Sequence, residues 1–396
     1  MNTVKITLLF AICTLLVGAH PAISIDLTDY TFPVSTSQQA FLNGAFNLNG
    51  SSADSTQTAY NLGGSGTYDL FYRSLPLEYQ LSALGNFSFL RGELEGADDQ
   101  NGYNTGISTR LNKYFKDDSK VFGFGEANVE YRKLNAQDEA DDPYADVTIG
   151  FGYGRSIDAT VLKQAVRLSE DFQKYNVTNS PIPDKGLLEL AQIIDKKSEF
   201  RSTYGVVEYR KYWYEAMENV LMDYDVLTGD GLGAMGAIRI EEVLAEPTGF
   251  RFHGWQARAG FGIVVSDFDG EAGDPLFSLG FDWARPLGMQ LQLNNNAYLS
   301  TVLVSDPAYN LGDEFQIYYE ISNRIDWDNR FKINYTINSA EGLENVLNLT
   351  FTSTYILYIE NQLTFNPSFV LSYVDDGIND ALTDWAILGS ISYRLK

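Results

Sequence analysis

The chain has 396 residues, with 52 Asp and Glu against 28 Lys and Arg, a formal net charge of −24. That balance argues against nucleic acid as a partner and against direct attraction to an anionic lipid surface, and it suits cations. A single cysteine, Cys13, rules out a disulfide framework and a histidine–cysteine metal site.

In chain order, Lys5, the apolar run 6–18 and the small-residue ending Ala22-Ile23-Ser24 read as a secretory signal peptide over 1–24, cut after Ser24. Cys13 lies between Ile12 and Thr14 without the context of a lipid anchor. Residues 25–39 read as a short, weakly structured lead-in. After the signal, no stretch of about 18 apolar residues offers a transmembrane helix. Period-2 alternation instead predicts fourteen strands, with a range of twelve to sixteen: 40–49, 57–72, 77–90, 102–115, 121–133, 144–155, 251–265, 275–285, 288–303, 313–326, 330–338, 344–358, 362–374 and 383–395. The twelfth is the clearest. Leu347, Leu349, Phe351, Tyr355 and Leu357 fall on one parity and Asn348, Thr350, Thr352 and Thr354 on the other. Pro367 in the thirteenth removes a ladder donor and predicts a bulge.

The connections alternate in kind. Short ones (73–76, 284–288, 326–329, 359–361) take turns with longer acidic ones such as RGELEGADDQNGY and NAQDEADDPY. Short turns at one end and long loops at the other fit a transmembrane barrel, whereas a soluble sandwich has no reason to segregate them by parity. A soluble up-and-down barrel would show the same alternation with the apolar parity inward. The signal peptide, strands of about ten residues or more and aromatics at the ends of the apolar parity (Tyr79, Trp255, Trp283, Trp327, Trp385, Tyr393) favour lipid.

The pattern breaks once, between the barrel parts 40–156 and 250–396. Residues 157–249 read as a helical insertion, on the periplasmic side if the N-terminus is periplasmic. Asp158 is placed to cap a helix with the stripe Val161, Leu162, Ala165, Leu168 and Phe172, and Asp184 a second with Leu187, Leu190, Ala191 and Ile194, followed by Lys196 and Lys197 at its C-terminal dipole. A longer helical stretch carries Phe200, Tyr204, Val207, Tyr214 and Leu221, and the glycine-rich 229–236 reads as a hinge. Two fates are open to these stripes: packing against one another, or covering the barrel mouth or another protein.

Candidate chemistry is sparse. His253 shares parity with Trp255, Ala257, Ala259, Phe261 and Ile263, which suits an interfacial girdle better than a hydrolase triad. Gly231 to Gly236 has dinucleotide-binding spacing without a preceding strand. The run 223–231 has oxygen ligands but not the full calcium-loop pattern. Acidic loops (Glu93, Glu95, Asp98, Asp99; Asp138, Glu139, Asp141, Asp142; Asp267, Asp269, Glu271, Asp274) read as solvated tips, with loop-bound divalent cations shared with lipopolysaccharide as the alternative. No cofactor is expected. The lumen parity receives Asp69, Glu78, Arg110, Glu126, Glu130, Arg132, Arg258, Asp282, Glu320, Arg324, Lys332 and Arg394, the pore-lining candidates. These charges either set up a selective field or simply pair across neighbouring strands, and a pore wall does both.

On these features the chain resembles Gram-negative outer-membrane β-barrels, porin-like in size, over the signal and about 260 mature residues. The last strand, Trp385, Ile387, Gly389, Ile391, Tyr393 and Leu395, has the alternation by which such proteins are recognised for assembly, but it ends in Lys396 rather than an aromatic. The resemblance implies an all-β transmembrane antiparallel barrel in the outer membrane, partnered by outer-membrane lipid, lipopolysaccharide and the assembly machinery. The expected function is a non-enzymatic channel for small polar or cationic solutes. The alternatives are a barrel whose periplasmic insertion docks an export or envelope-assembly partner, and, least favoured, a lipid hydrolase.

Overall fold

The computed structural model describes residues 25–32, 35–49, 56–74, 76–117, 119–133, 140–270 and 272–395. The signal peptide, Asp138, Glu139, Glu271 and Lys396 lie outside the described residues. Fourteen strands form one closed antiparallel barrel. The first half comprises β1 (Ser35–Asn49), β2 (Ala59–Ser74), β3 (Leu77–Arg91), β4 (Asp99–Tyr114), β5 (Val121–Lys133) and β6 (Tyr144–Asp158). The second comprises β7 (Phe252–Ser266), β8 (Pro275–Leu287), β9 (Leu291–Val302), β10 (Ala308–Ser322), β11 (Ile325–Asn338), β12 (Val346–Tyr358), β13 (Leu363–Asp375) and β14 (Leu382–Arg394). Each strand pairs with the next, and β1 closes on β14 through Phe41↔Arg394 to Gly44↔Ile391. Closure removes every sheet edge, which is what allows a sheet to cross hydrocarbon with its backbone satisfied.

The apolar parity faces out. Ile149, Phe151 and Phe261 are each more than 60 % exposed, while side chains of the other parity meet across the interior. A band of exposed apolar side chains around a closed barrel with a polar interior is the geometry required by lipid outside and water inside. The soluble alternative, with the apolar parity inward, is thereby excluded.

Two local readings are corrected. The turn expected at 326–329 lies at Asn323 and Arg324, and Trp327 is in β11, opposite Tyr319 and Tyr355. The run Asp326-Trp327-Asp328-Asn329 looks like turn chemistry, yet its two aspartates belong to the lumen face and are buried there. Pro367 causes no bulge: β13 keeps one register on both sides, and the ladder with β12 merely lapses between Thr354↔Ser368 and Leu357↔Phe365.

The insertion holds α1 (Thr160–Lys174), α2 (Asp184–Asp195), α3 (Lys197–Asp223) and α4 (Gly233–Ala245). Asp158 Oδ1 accepts from Thr160 N at 2.9 Å, as a residue ahead of a first turn should. Asp184 is not a cap, because Pro183 occupies that position. Lys197 begins α3 rather than closing α2, and its ammonium lies 5.1 Å from the Trp213 ring centroid. The stripes of α1 and α2 bury as read, but α3 buries Tyr209, Trp213, Met217, Val220 and Leu221, while Val207 is 90 % exposed. Gly205, at φ 78°, breaks α3 and folds its first turns back, so that Tyr204 stacks on Tyr212 at 4.0 Å. The glycine-rich 229–236 is no free hinge. Gly233 opens α4, and a Cβ on Gly236 would meet Leu232 and Val177. The lead-in is not weakly structured either: Ile25, Leu27 and Tyr30 are buried in the same apolar cluster as the four helices.

Candidate functional site: a lumen closed at one end

Short turns and the helices share one end of the barrel, and the long connections share the other. The lumen differs between these two ends.

At the helix end the inward polar groups are buried and joined by direct contacts. Glu78 on β3, 1 % exposed, accepts from Arg73 Nη2 at 2.8 Å, Asn112 Nδ2 at 3.3 Å and Gln256 Nε2 at 3.2 Å. Gln256 belongs to β7, four strands away around the wall, so this bond spans the lumen. Gln256 also donates to the Tyr114 hydroxyl at 3.0 Å, Arg73 bonds the Ser156 carbonyl, and the Phe71 and Phe252 rings meet edge to face at 6.2 Å. Glycines on β6 permit the approach. A Cβ on Gly152 would lie 2.2 Å from the Phe122 ring, and Gly154 holds φ at 113°, a bend open to glycine alone at little cost.

On the opposite side the helices are anchored at one carboxylate. Glu320 on β10 receives Lys163 and Arg167 of α1 as ion pairs, with Arg251 Nη2 at 3.4 Å. Lys163 and Arg167 are four residues apart and therefore share a helix face. Arg251, fully buried, also donates to the carbonyls of Gly249, Phe250, Met289 and Gln290 and lies 5.2 Å from the Tyr318 ring centroid. Burial lowers the Lys163 ammonium to about 7; neighbouring Arg251 pushes the same way, and Glu320 opposes both. Burial likewise lowers Arg251. Arg394 Nη2 donates to the Ala245 carbonyl at 3.2 Å, tying β14 to the end of α4.

Beyond these contacts the inward charges are on the whole less buried. Asp69 is exposed and accepts from Ser82 Oγ at 2.7 Å; half-buried Glu130 accepts from Asn104 Nδ2 at 3.1 Å; Asp146, itself buried, accepts from Asn128 Nδ2 at 3.2 Å. These carboxylates, with Glu126 in register opposite Arg110, make an acidic wall along β2 to β6. Around it Asp282 pairs with Arg258 and stands 4.0 Å from Arg110, Arg132 lies 4.0 Å from the Phe268 ring centroid, and Lys332 is exposed opposite Glu314.

Eleven of the twelve lumen candidates thus sit on inward positions of strands, in two groups rather than one. Glu78, Glu320 and Arg394 are bound into the closed end, and the other eight line the open part. Arg324 is the exception: it occupies the turn after β10, and its carbonyl accepts from Tyr358 N at 3.0 Å. Glu320 pairs with the insertion, not with Arg324. Sequence reasoning missed Arg73, Arg251, Lys163 and Arg167. Arg73 continues the inward parity of Asp69 and Phe71 and was assigned to a turn. Lys163 interrupts a buried helical stripe, a signal that was there to read.

His253 is on the outward parity and bonds the Tyr30 carbonyl through Nε2 at 2.8 Å. Among the described residues no three His, Cys, Asp or Glu side chains converge as a metal-binding group, and no helix is long and apolar enough to cross a membrane.

No protein-family model and no curated protein matches the chain. Solved structures it is similar to include the Acinetobacter baumannii outer membrane protein Omp33, at 8 % identity and a TM-score of 0.31 over 92 % of this chain and 99 % of that one. Pseudomonas putida OprB aligns at 8 % identity and a TM-score of 0.34, covering 93 % and 94 %. The translocator domain of the autotransporter NalP from Neisseria meningitidis aligns at 6 % and 0.27, covering 98 % and 94 %. At such scores the assignment rests on this chain's own geometry. Closure by fourteen strands, an apolar exterior and a polar interior make the protein a β-barrel of the outer-membrane kind, carrying a helical insertion at its short-turn end.

Proposed function

We propose that the protein is an outer-membrane channel for small polar solutes, biased toward cations, whose helical insertion is a plug held in the periplasmic mouth. The observation that supports this reading is that the inward charges fall into two groups, one partly exposed and rich in carboxylates, the other buried, where Glu320 on β10 is ion-paired with Lys163 and Arg167 of α1. A barrel serving only as a membrane anchor has no need of a charged, solvated interior, and a permanently open pore has no need of the seal. The acidic wall of Asp69, Glu126, Glu130 and Asp146 is balanced mainly by neutral amides and hydroxyls, which leaves a field attractive to cations. The protein is read as non-enzymatic, with acidic loops that meet divalent cations and lipopolysaccharide at the cell surface.

The test is single-channel conductance in planar bilayers under a salt gradient. Wild type is expected to show small or brief steps with cation preference. Glu320→Ala, and a chain with 160–246 replaced by a short linker, are expected to show larger or longer ones. Silence from all three when folded and inserted sinks the channel.

A second reading draws on the exposed apolar side chains of the insertion, Val206 at 65 % and Val207 at 90 %, which suit a periplasmic partner. Loss of a co-purifying envelope protein on Val207→Asp, with conductance unchanged, would favour it.

A further inference from the structure

The ladder that closes the barrel is the shortest in it. β1 and β14 share four residue pairs, Phe41↔Arg394 to Gly44↔Ile391, whereas every other two neighbouring strands among the described residues share ten or more. The paired part lies toward the helix end and is pinned there. Leu395 N donates to the Ala40 carbonyl at 2.8 Å, and Ser392 Oγ donates to Asn43 Oδ1. Beyond Gly44 β1 runs on to Asn49 and β14 reaches back to Leu382, yet no residue of 45–49 pairs with β14. The gap is not the fraying of a loose end, because both lips are held on their far sides, β1 by fifteen pairs to β2 and β14 by twelve to β13.

This seam opens in the apolar band. Trp385 and Tyr393 mark the ends of the outward face of β14, and the eight residues from one to the other rise about 20 Å, most of the height of that band. Residues 386–390 lie between them. On an antiparallel edge alternate residues turn their N–H and C=O toward the missing neighbour, and acyl chains cannot bond them. The lips are apolar on both faces. Outward, Phe46, Leu48 and Ile387 are exposed; inward, Leu388 is 53 % exposed on the parity that also carries Asp384, Ser390 and Ser392.

We propose that the seam between β1 and β14 is a lateral gate, through which a molecule with a polar head and a long apolar tail passes between the lumen and the loop-side half of the bilayer. The closed state is available to the chain itself. Continuing the existing register sets Ala45 opposite Ser390, Phe46 opposite Gly389 and Leu48 opposite Ile387, inward with inward and outward with outward. Each lip is the other's complement, so this edge needs no strand from another protein. The open state fits an amphiphile. The exposed apolar lips receive the tail, and the inward Asn43, Ser390 and Ser392 at the foot of the seam receive the head. A solute polar throughout has no cause to cross apolar lips, and a wholly apolar one gains nothing from the lumen.

The experiment is cysteine labelling of the full-length chain in native membranes, in a Cys13→Ser background. Leu388→Cys is expected to react with both a water-soluble anionic maleimide and N-hexadecylmaleimide dissolved in the bilayer. Thr354→Cys, on the same inward register line of β12 and two strands from the seam, is expected to react several-fold more slowly with the lipid reagent. Ala45→Cys with Ser390→Cys should form an intramolecular disulfide on mild oxidation, several-fold more slowly than Asn43→Cys with Ser392→Cys in the paired part. Heat-modifiable migration in detergent gels reports an intact barrel in each variant. Equal reaction of Leu388→Cys and Thr354→Cys with the lipid reagent overturns the proposal, as does labelling of Leu388→Cys by the lipid reagent alone, which would mean that the side chain faces outward. A disulfide at the upper pair as fast as at the lower one means a closed seam, none at all means a gap that never closes, and one formed only between chains gives the edge to another strand; each overturns it. Conductance enters none of these readouts, so the gate and the channel reading fail separately.

Discussion

The two ends of the lumen are built from the same strands with the same alternation, yet they behave as different materials. At the helix end Glu78 and Glu320 are 1 % and 6 % exposed, Glu78 taking donors from Arg73, Gln80, Asn112 and Gln256 and Glu320 from Lys163, Arg167 and Arg251; farther along the lumen Asp69 and Lys332 are exposed, and Asp69 accepts from Ser82. Inward parity alone therefore does not say whether a charge conducts or cements. What decides is what else enters the lumen: the glycine-lined approach of β6 and β7, and a helix face bearing two cations.

The sharpest way to break this contrast is Glu320→Ala, which leaves Lys163, Arg167 and Arg251 buried without their carboxylate. Removing one member of a buried charge network costs about 3–5 kcal/mol. That loss should fall on the docking of the insertion, so limited proteolysis should cut between α1 and α4 while the barrel stays heat-modifiable. On the other side of the closed end, Arg73→Met leaves Glu78 only its neutral donors and should cost about 2–3 kcal/mol in denaturant unfolding. The pH dependence sharpens the contrast further. With Lys163 held near 7, the native chain releases that proton well before the unfolded chain does, so stability rises as pH climbs from about 7 toward the ordinary lysine range near 10.4. Thermal midpoints should follow this rise, and Lys163→Met should flatten it. The smallest effect belongs to the open end: Lys332→Gln should change stability by less than about 0.5 kcal/mol while shifting the reversal potential further toward cations.

Much of this was legible because a strand's faces are a local property. β12 was expected over 344–358 and runs Val346–Tyr358; β5 was expected over 121–133 and runs Val121–Lys133. Errors came where local chemistry had two meanings. In 326–329 the turn-like Asp326 and Asp328 serve instead as buried lumen groups, and Arg73 lies close enough to Pro76 to pass for turn. The helices were found from their stripes, but α3 was read through Gly205 as continuous, and the fold-back there exposes Val207 and buries Trp213 instead.

By itself the sequence determined the alternation of apolar and polar faces along the strands and the helical character of the insertion, because each follows from a repeat of two or of 3.6 residues along one segment. Only the tertiary structure decided that Gln256 reaches Glu78 across the barrel, that Lys163 and Arg167 of α1 settle on Glu320 of β10, and that Ile25, Leu27 and Tyr30 complete the helical core. Those contacts join residues far apart in the chain, up to 178 positions for Gln256 and Glu78. They depend on the curvature of the closed wall and on where the insertion docks, neither of which leaves a periodic trace in the sequence.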